Sequence, residues 1–127
     1  MPRTIAMLIL ATALGGCAHP YNVGIAAADG STVALDPGQT ASLASGRLRY
    51  VRVVADSRCP PDVQCVWAGD AAIELQWTGN AGDARTVTLH SNPQAGENAA
   101  TLGGRKVSFA ALARGTPRAS LRIDRAD

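Results

Sequence analysis

The sequence predicts an all-β domain, a small antiparallel β-sandwich or barrel of about seven strands. Two observations lead there. Short runs rich in Val, Ile, Leu, Thr and Tyr alternate apolar with polar residues, the period of a half-buried strand. Clusters of turn-forming residues separate them, such as Asp36-Pro37-Gly38-Gln39, Gly79-Asn80-Ala81-Gly82-Asp83 and Gly115-Thr116-Pro117. A third is composition: Gly and Pro are frequent, with 13 and 7 copies in 127 residues, and no heptad, repeat or long polar helix interrupts the pattern.

Residues 1–16 precede that domain and read as a cleaved leader. Met1-Pro2-Arg3 is a short basic start, Ile5 to Leu14 is apolar, and Leu14-Gly15-Gly16 supplies small residues. The apolar run is shorter than the ~20 residues a spanning helix needs. Cys17 follows directly, so the leader resembles a bacterial lipoprotein signal. That resemblance implies a diacylglycerol on the Cys17 thiol and cleavage just before it. Two or more acyl chains anchor stably, at about 0.8 kcal/mol per buried methylene. In such lipoproteins an Asp after the cysteine often marks retention at the inner membrane. Here Ala18 follows, so the expected location is the outer membrane, facing the periplasm. The expected membrane partner is reached only through this lipid.

Residues 17–29 are expected to form a tether and residues 30–127 the domain. Ser31 to Leu35 is the first expected strand and Thr40 to Ser45 the second. Arg47 to Ala55 is the longest β-rich run, but Arg52 falls in register with Leu48, Tyr50 and Val54, so a bulge or an edge position is expected. Ala71 to Thr78 alternates cleanly, with Ile73, Leu75 and Trp77 inward. Ala84 to His90 answers it as a hairpin, with Val87 and Leu89 inward and His90 outward. Asn92 to Asn98 reads as a loop. Lys106 to Leu112 places Val107, Phe109 and Ala111 on one side, although Ala110 to Arg114 also suits a helical turn. Ala119 to Asp124 ends the domain with Leu121 and Ile123 inward.

With Cys17 assigned to lipid, Cys59 and Cys65 remain, an even pair in an oxidising compartment. A disulfide is the expected outcome. In the chain-entropy treatment its seven-residue ring contributes about 2.4 kcal/mol. A metal site is the rival reading. It would need two further ligands, and only His19 and His90 are present. No metal and no cofactor are expected.

The ring lies in the least ordinary segment of the chain, Asp56-Ser57-Arg58-Cys59-Pro60-Pro61-Asp62-Val63-Gln64-Cys65-Val66-Trp67-Ala68-Gly69-Asp70. This segment resembles a family of small bacterial envelope proteins, often lipoproteins, that carry Asp-Ser-Arg-Cys-Pro and then Cys-Val-Trp-Ala-Gly. Both halves match, at residues 56–60 and 65–69. The resemblance is specific over residues 56–70 and loose elsewhere. It implies a loop between two strands, and it brings no assigned activity.

Each residue of the segment has a structural reading. Trp67 is expected to pack on the disulfide and plug the end of the core. Gly69 allows a positive backbone angle at the entry to the next strand. Asp56 is expected to accept backbone N–H bonds, and Arg58 to pair with Asp56, Asp62 or Asp70. The functional reading is a preordered loop presenting Arg58, Asp62 and Gln64 to a ligand or an envelope protein, since a rigid loop loses little entropy on binding.

Other chemistry finds little support. The 12 basic and 10 acidic side chains fall to 11 against 10 once Arg3 is removed, and the arginines are spread along the chain without an aromatic platform, so no nucleic acid is expected. Glu74 and Glu97 form no recognisable carboxylate pair, and Asp56, Asp62 and Asp70 match no EF-hand spacing. No catalytic residue is assigned and the chain is not read as an enzyme. The favoured function is a non-catalytic binding or structural lipoprotein of the envelope. The alternative is an envelope inhibitor of a secreted hydrolase that presents the Cys59–Cys65 loop.

Overall fold

The computed structural model describes residues 15–16 and 24–126. The leader to Leu14, Cys17 and His19 lie outside the described residues. The architecture is an all-β sandwich of two sheets, not closed into a barrel. Along the chain the strands are β1 Ile25–Ala26, β2 Ser31–Leu35, β3 Thr40–Leu43, β4 Gly46–Asp56, β5 Ala71–Gly79, β6 Ala84–His90, β7 Ala99–Leu102, β8 Arg105–Leu112 and β9 Ala119–Arg125. One sheet has the order β1-β3-β4-β5-β6 and the other β2-β9-β8-β7.

The described residues thus hold nine strands, not about seven. The two extra are short. Ala99–Leu102 pairs with β8 through a Gly103-Gly104 turn, and both glycines have positive φ. Ile25–Ala26 lies within the expected tether and adds to β3 in parallel, the one departure from antiparallel pairing among the described strands. The four residues Ala-Ala-Thr-Leu, or the two residues Ile-Ala, are too short to show a period.

Chain crossing between the sheets occurs at Asp36–Gln39, where β2 hands over to β3. Gly38 N–H donates to Tyr50 O at 2.7 Å, and Tyr50 N–H donates to Gln39 O at 3.0 Å, which fixes the corner against β4. Tyr50 is fully buried, and its hydroxyl donates to Pro117 O at 2.7 Å in the β8–β9 turn of the opposite sheet. That bond satisfies a phenol that would otherwise be costly to bury.

The core lies between the sheets. Leu48, Tyr50, Ile73, Leu75, Trp77 and Leu89 from one face meet Leu35, Val107, Leu121 and Ile123 from the other. Alternation placed most of these correctly. Its failures fall at bulges, where one extra residue reverses the faces. Register shifts between Tyr50 and Arg52 and between Val53 and Ala55 put Val53 against the core and leave Val54 41% exposed. Arg52 then faces outward and meets Glu74 on the neighbouring strand at 3.3 Å. A shift between Phe109 and Ala111 likewise turns Ala111 outward and buries Leu112. The strand persists to Leu112, so the helical turn considered for Ala110 to Arg114 does not form.

Trp77 fills the end of the sandwich far from the β4–β5 connection. Its indole lies against Gly46 and Gly103, where any side chain would collide with the ring, and its Nε1–H reaches Asp83 Oδ2 at 3.3 Å.

Candidate functional site

β4 and β5 are joined by the Ser57–Asp70 loop, which leaves from the end opposite Trp77. The loop has a tied base and a free tip.

The base continues the strand ladder by one step. Ser57 N–H donates to Asp70 O at 2.7 Å, and Asp70 N–H donates to Ser57 Oγ at 3.1 Å. Gly69 sits inside this step with φ 69°, and a Cβ there would strike the Ser57 carbonyl. The glycine is required both for its backbone angle and for the close approach.

Arg58 pairs with Asp56, the first of its three expected partners. Nε reaches Oδ1 at 2.8 Å and Nη2 reaches Oδ2 at 2.7 Å, a two-bond fork. Asp56 also accepts the Arg58 backbone N–H at 3.3 Å. The guanidinium bonds, opposed by some desolvation, hold the Asp56 carboxyl down at about 2. Arg58 Nη1 goes on to donate to Leu112 O at 2.7 Å, and Arg114 Nη2 donates to Cys59 O at 3.1 Å. Two arginines therefore clamp the loop of one sheet to β8 and its following turn in the other. Arg58 is consumed by this clamp, its side chain only 17% exposed, so it is not displayed to a partner as expected.

Asp70 organises the other flank. Its Oδ2 lies 2.6 Å from His90 Nδ1, and its Oδ1 accepts Asn92 N–H at 2.9 Å and the Ser91 hydroxyl at 3.3 Å. Burial opposes ionisation of this carboxyl, but the bonds from His90 and Asn92 outweigh it and hold it below the ordinary value. Asn92 Nδ2 returns to Gly69 O at 3.2 Å. On its other side His90 is fixed by the loop after β6. Its carbonyl accepts Asn98 Nδ2 at 2.8 Å, its N–H donates to Glu97 O at 2.8 Å, and its ring lies against Gly96. His90 was expected to be an ordinary exposed histidine; it is instead a half-buried partner of Asp70.

The tip behaves differently. Cys59 and Cys65 are disulfide-bonded with their Cα atoms 5.9 Å apart. Within the ring, Val63 N–H donates to Pro60 O at 3.2 Å. Asp62 and Gln64 are exposed, as a presenting loop requires. Trp67 does not plug the core. It is 83% exposed, Val66 is 93% exposed and Val63 54%. Trp77 fills the opposite end of the core, and at this end Arg58 and Arg114 tie the loop to the Leu112 end of β8 and the turn after it. Behind the tip is an open depression of about 540 Å³, lined by Arg58, Gly69, Asn92 and Arg114 among others.

The structure thus brings Asp56, Arg58 and Asp70 into the base and sends Asp62, Gln64 and Trp67 to the tip. Asp56, Asp62 and Asp70 do not converge, and no group of three His, Cys, Asp or Glu side chains suited to a metal occurs among the described residues. Sequence reasoning missed His90, Ser91, Asn92 and Arg114 as parts of the base. Their distance along the chain hides them; only strand register brings Ala72 opposite His90, two residues from Asp70. Comparison with protein families, curated proteins and solved structures finds no match to this chain.

Proposed function

We propose that the protein is a membrane-anchored, non-catalytic contact module of the bacterial envelope that works through the tip of the Ser57–Asp70 loop. One observation carries this reading: a ring stiffened by a disulfide and two prolines holds Val66 and Trp67 almost wholly in solvent. Clustered exposed apolar side chains mark interaction sites in soluble domains, and tryptophan is the residue most enriched at contacts. Two of the three carboxylates of this segment are engaged in holding the loop: Asp56 by Arg58, and Asp70 by His90 and Asn92. That supports a contact surface over a catalytic one. The inhibitor alternative rests on the constrained Cys59–Cys65 ring and would have to act without Arg58, which the clamp holds. The leader, the Cys17 lipidation and the likeness of residues 56–60 and 65–69 to envelope lipoproteins supply the location.

The test is site-specific photocrosslinking in cells. A photoreactive residue at position 66 is expected to give a discrete product, and one at Ala81, in the hairpin at the opposite end, to give none. Equal labelling from both positions would remove the tip as the working surface. Mass spectrometry of the mature protein checks the diacylglycerol at Cys17 independently.

A further inference from the structure

We infer that the loop tip docks on the lipid bilayer that carries the anchor, with Trp67 and Val66 entering the headgroup boundary. This deepens the proposed function by naming the partner of the same tip, and it rests on lipid at Cys17.

The direction of the first strand carries the inference. β1 runs parallel to β3, with Ile25 opposite Ala41 and Ala26 opposite Ser42. β3 is antiparallel to β4, with Thr40 opposite Arg49. Followed backwards from Ala26, the chain therefore heads towards Asp56, the end of β4 from which the loop springs. From the level of Arg49 to that end is about 23 Å at ~3.3 Å per residue. Gly24 lies beside Thr40. The seven residues from Cys17 to Gly24 span at most ~25 Å. A lipidated Cys17 can thus come level with the base of the loop and little further. Residues 59–68 leave the strand ladder at that base, so a membrane that receives the acyl chains at this level is within reach of the tip.

The chemistry of the tip suits that surface. Tryptophan concentrates at membrane interfaces, where its apolar body and polar N–H each find a match. The ring and clamp fix the tip before contact, so little ordering entropy is lost on docking. Charge at the tip is low: Arg58 is paired with Asp56, and among residues 59–68 Asp62 is the one charged side chain. A zwitterionic surface is therefore sufficient, and binding does not depend on anionic lipid.

The chain carries a built-in control, because its two tryptophans sit at opposite ends of the sandwich. Trp67 is exposed at the tip, and Trp77 is buried against Gly46 and Gly103. The experiment uses the full lipidated protein in phosphatidylcholine vesicles with brominated acyl chains, after mass spectrometry has verified the lipid on Cys17. Bromine is expected to quench Trp67 emission by about twofold or more, as for side chains seated at the acyl boundary. Trp67→Phe, a change at an exposed site, should abolish that quenching and leave Trp77 emission as it was. A lipidated, vesicle-bound protein whose Trp67 emission remains water-exposed overturns lipid docking and leaves the anchor standing. If a photoreactive residue at 66 then links to another envelope protein, the tip belongs to a protein partner. Absence of lipid at Cys17 overturns the anchor and this inference with it.

Discussion

The contact between Asp70 and His90 is expected to hold the loop base and to show a measurable coupling energy. Removing Asp70 by Asp70→Ala deletes acceptors for His90 Nδ1, Asn92 N–H and the Ser91 hydroxyl. Bonds to a charged group contribute about 1.5–3 kcal/mol each when well buried, and less here because the site is partly wet. The two side chains are 18% and 24% exposed. Asp70→Ala is therefore expected to cost about 2–3 kcal/mol in total, of which about 1.5 kcal/mol is coupling to His90. The assay is urea unfolding at pH 7 of the wild type, Asp70→Ala, His90→Ala and the double variant, read as a double-mutant cycle. In a domain of this size the single Asp70 change should lower Tm by roughly 10–15 °C. His90→Ala also leaves space beside Gly96, and the cycle separates that packing loss from the pair. If the two single effects add to within about 0.3 kcal/mol, the bond does not hold the base and the reasoning fails.

Three further outcomes follow from the same geometry. The pKa of Asp56 is lowered to about 2 by Arg58, so the ionised pair stabilises the fold above the ordinary carboxylate range and is lost as pH falls through about 4 towards 2. Asp56→Asn should flatten that part of the pH–stability curve by about 1 kcal/mol after solvent screening; an unchanged acid limb contradicts it. Cys59→Ser with Cys65→Ser has an upper limit of about 2.4 kcal/mol from unfolded-chain entropy. The ring sits in an exposed loop and also gains freedom when opened in the native state, so a loss of about 1 kcal/mol is expected in calorimetry, with faster proteolysis at the tip; a loss above the limit would show that the ring supports the core. Trp77→Ala should cost about 3–5 kcal/mol and Trp67→Ala no more than about 0.5 kcal/mol in the same denaturation assay, and equal losses would refute the placement of the two indoles.

The alternation of Ile73, Leu75 and Trp77, answered by Leu89 across a glycine-rich turn, was enough to determine the β5–β6 hairpin and its buried face, because a period of two reports burial directly. The disulfide was expected from the two cysteines left once Cys17 is read as lipidated, whereas Arg58 had three candidate partners in the segment and only the structure selects Asp56. Short strands without a period, β1 and β7, left no local signal. The bulges in β4 and β8 were decided by pairing across the sheet, which is why Val53 and Leu112 turned inward in place of Val54 and Ala111. The same holds for the base of the loop. His90 meets Asp70 only because the register of β5 against β6 places them together. Trp67 faces solvent on a loop that Arg58 and Arg114 tie to the opposite sheet, while Trp77 fills the far end of the core. Local sequence encodes which faces are apolar. Which of two tryptophans is buried depends on the volume left between the assembled sheets, and only the tertiary structure settles that.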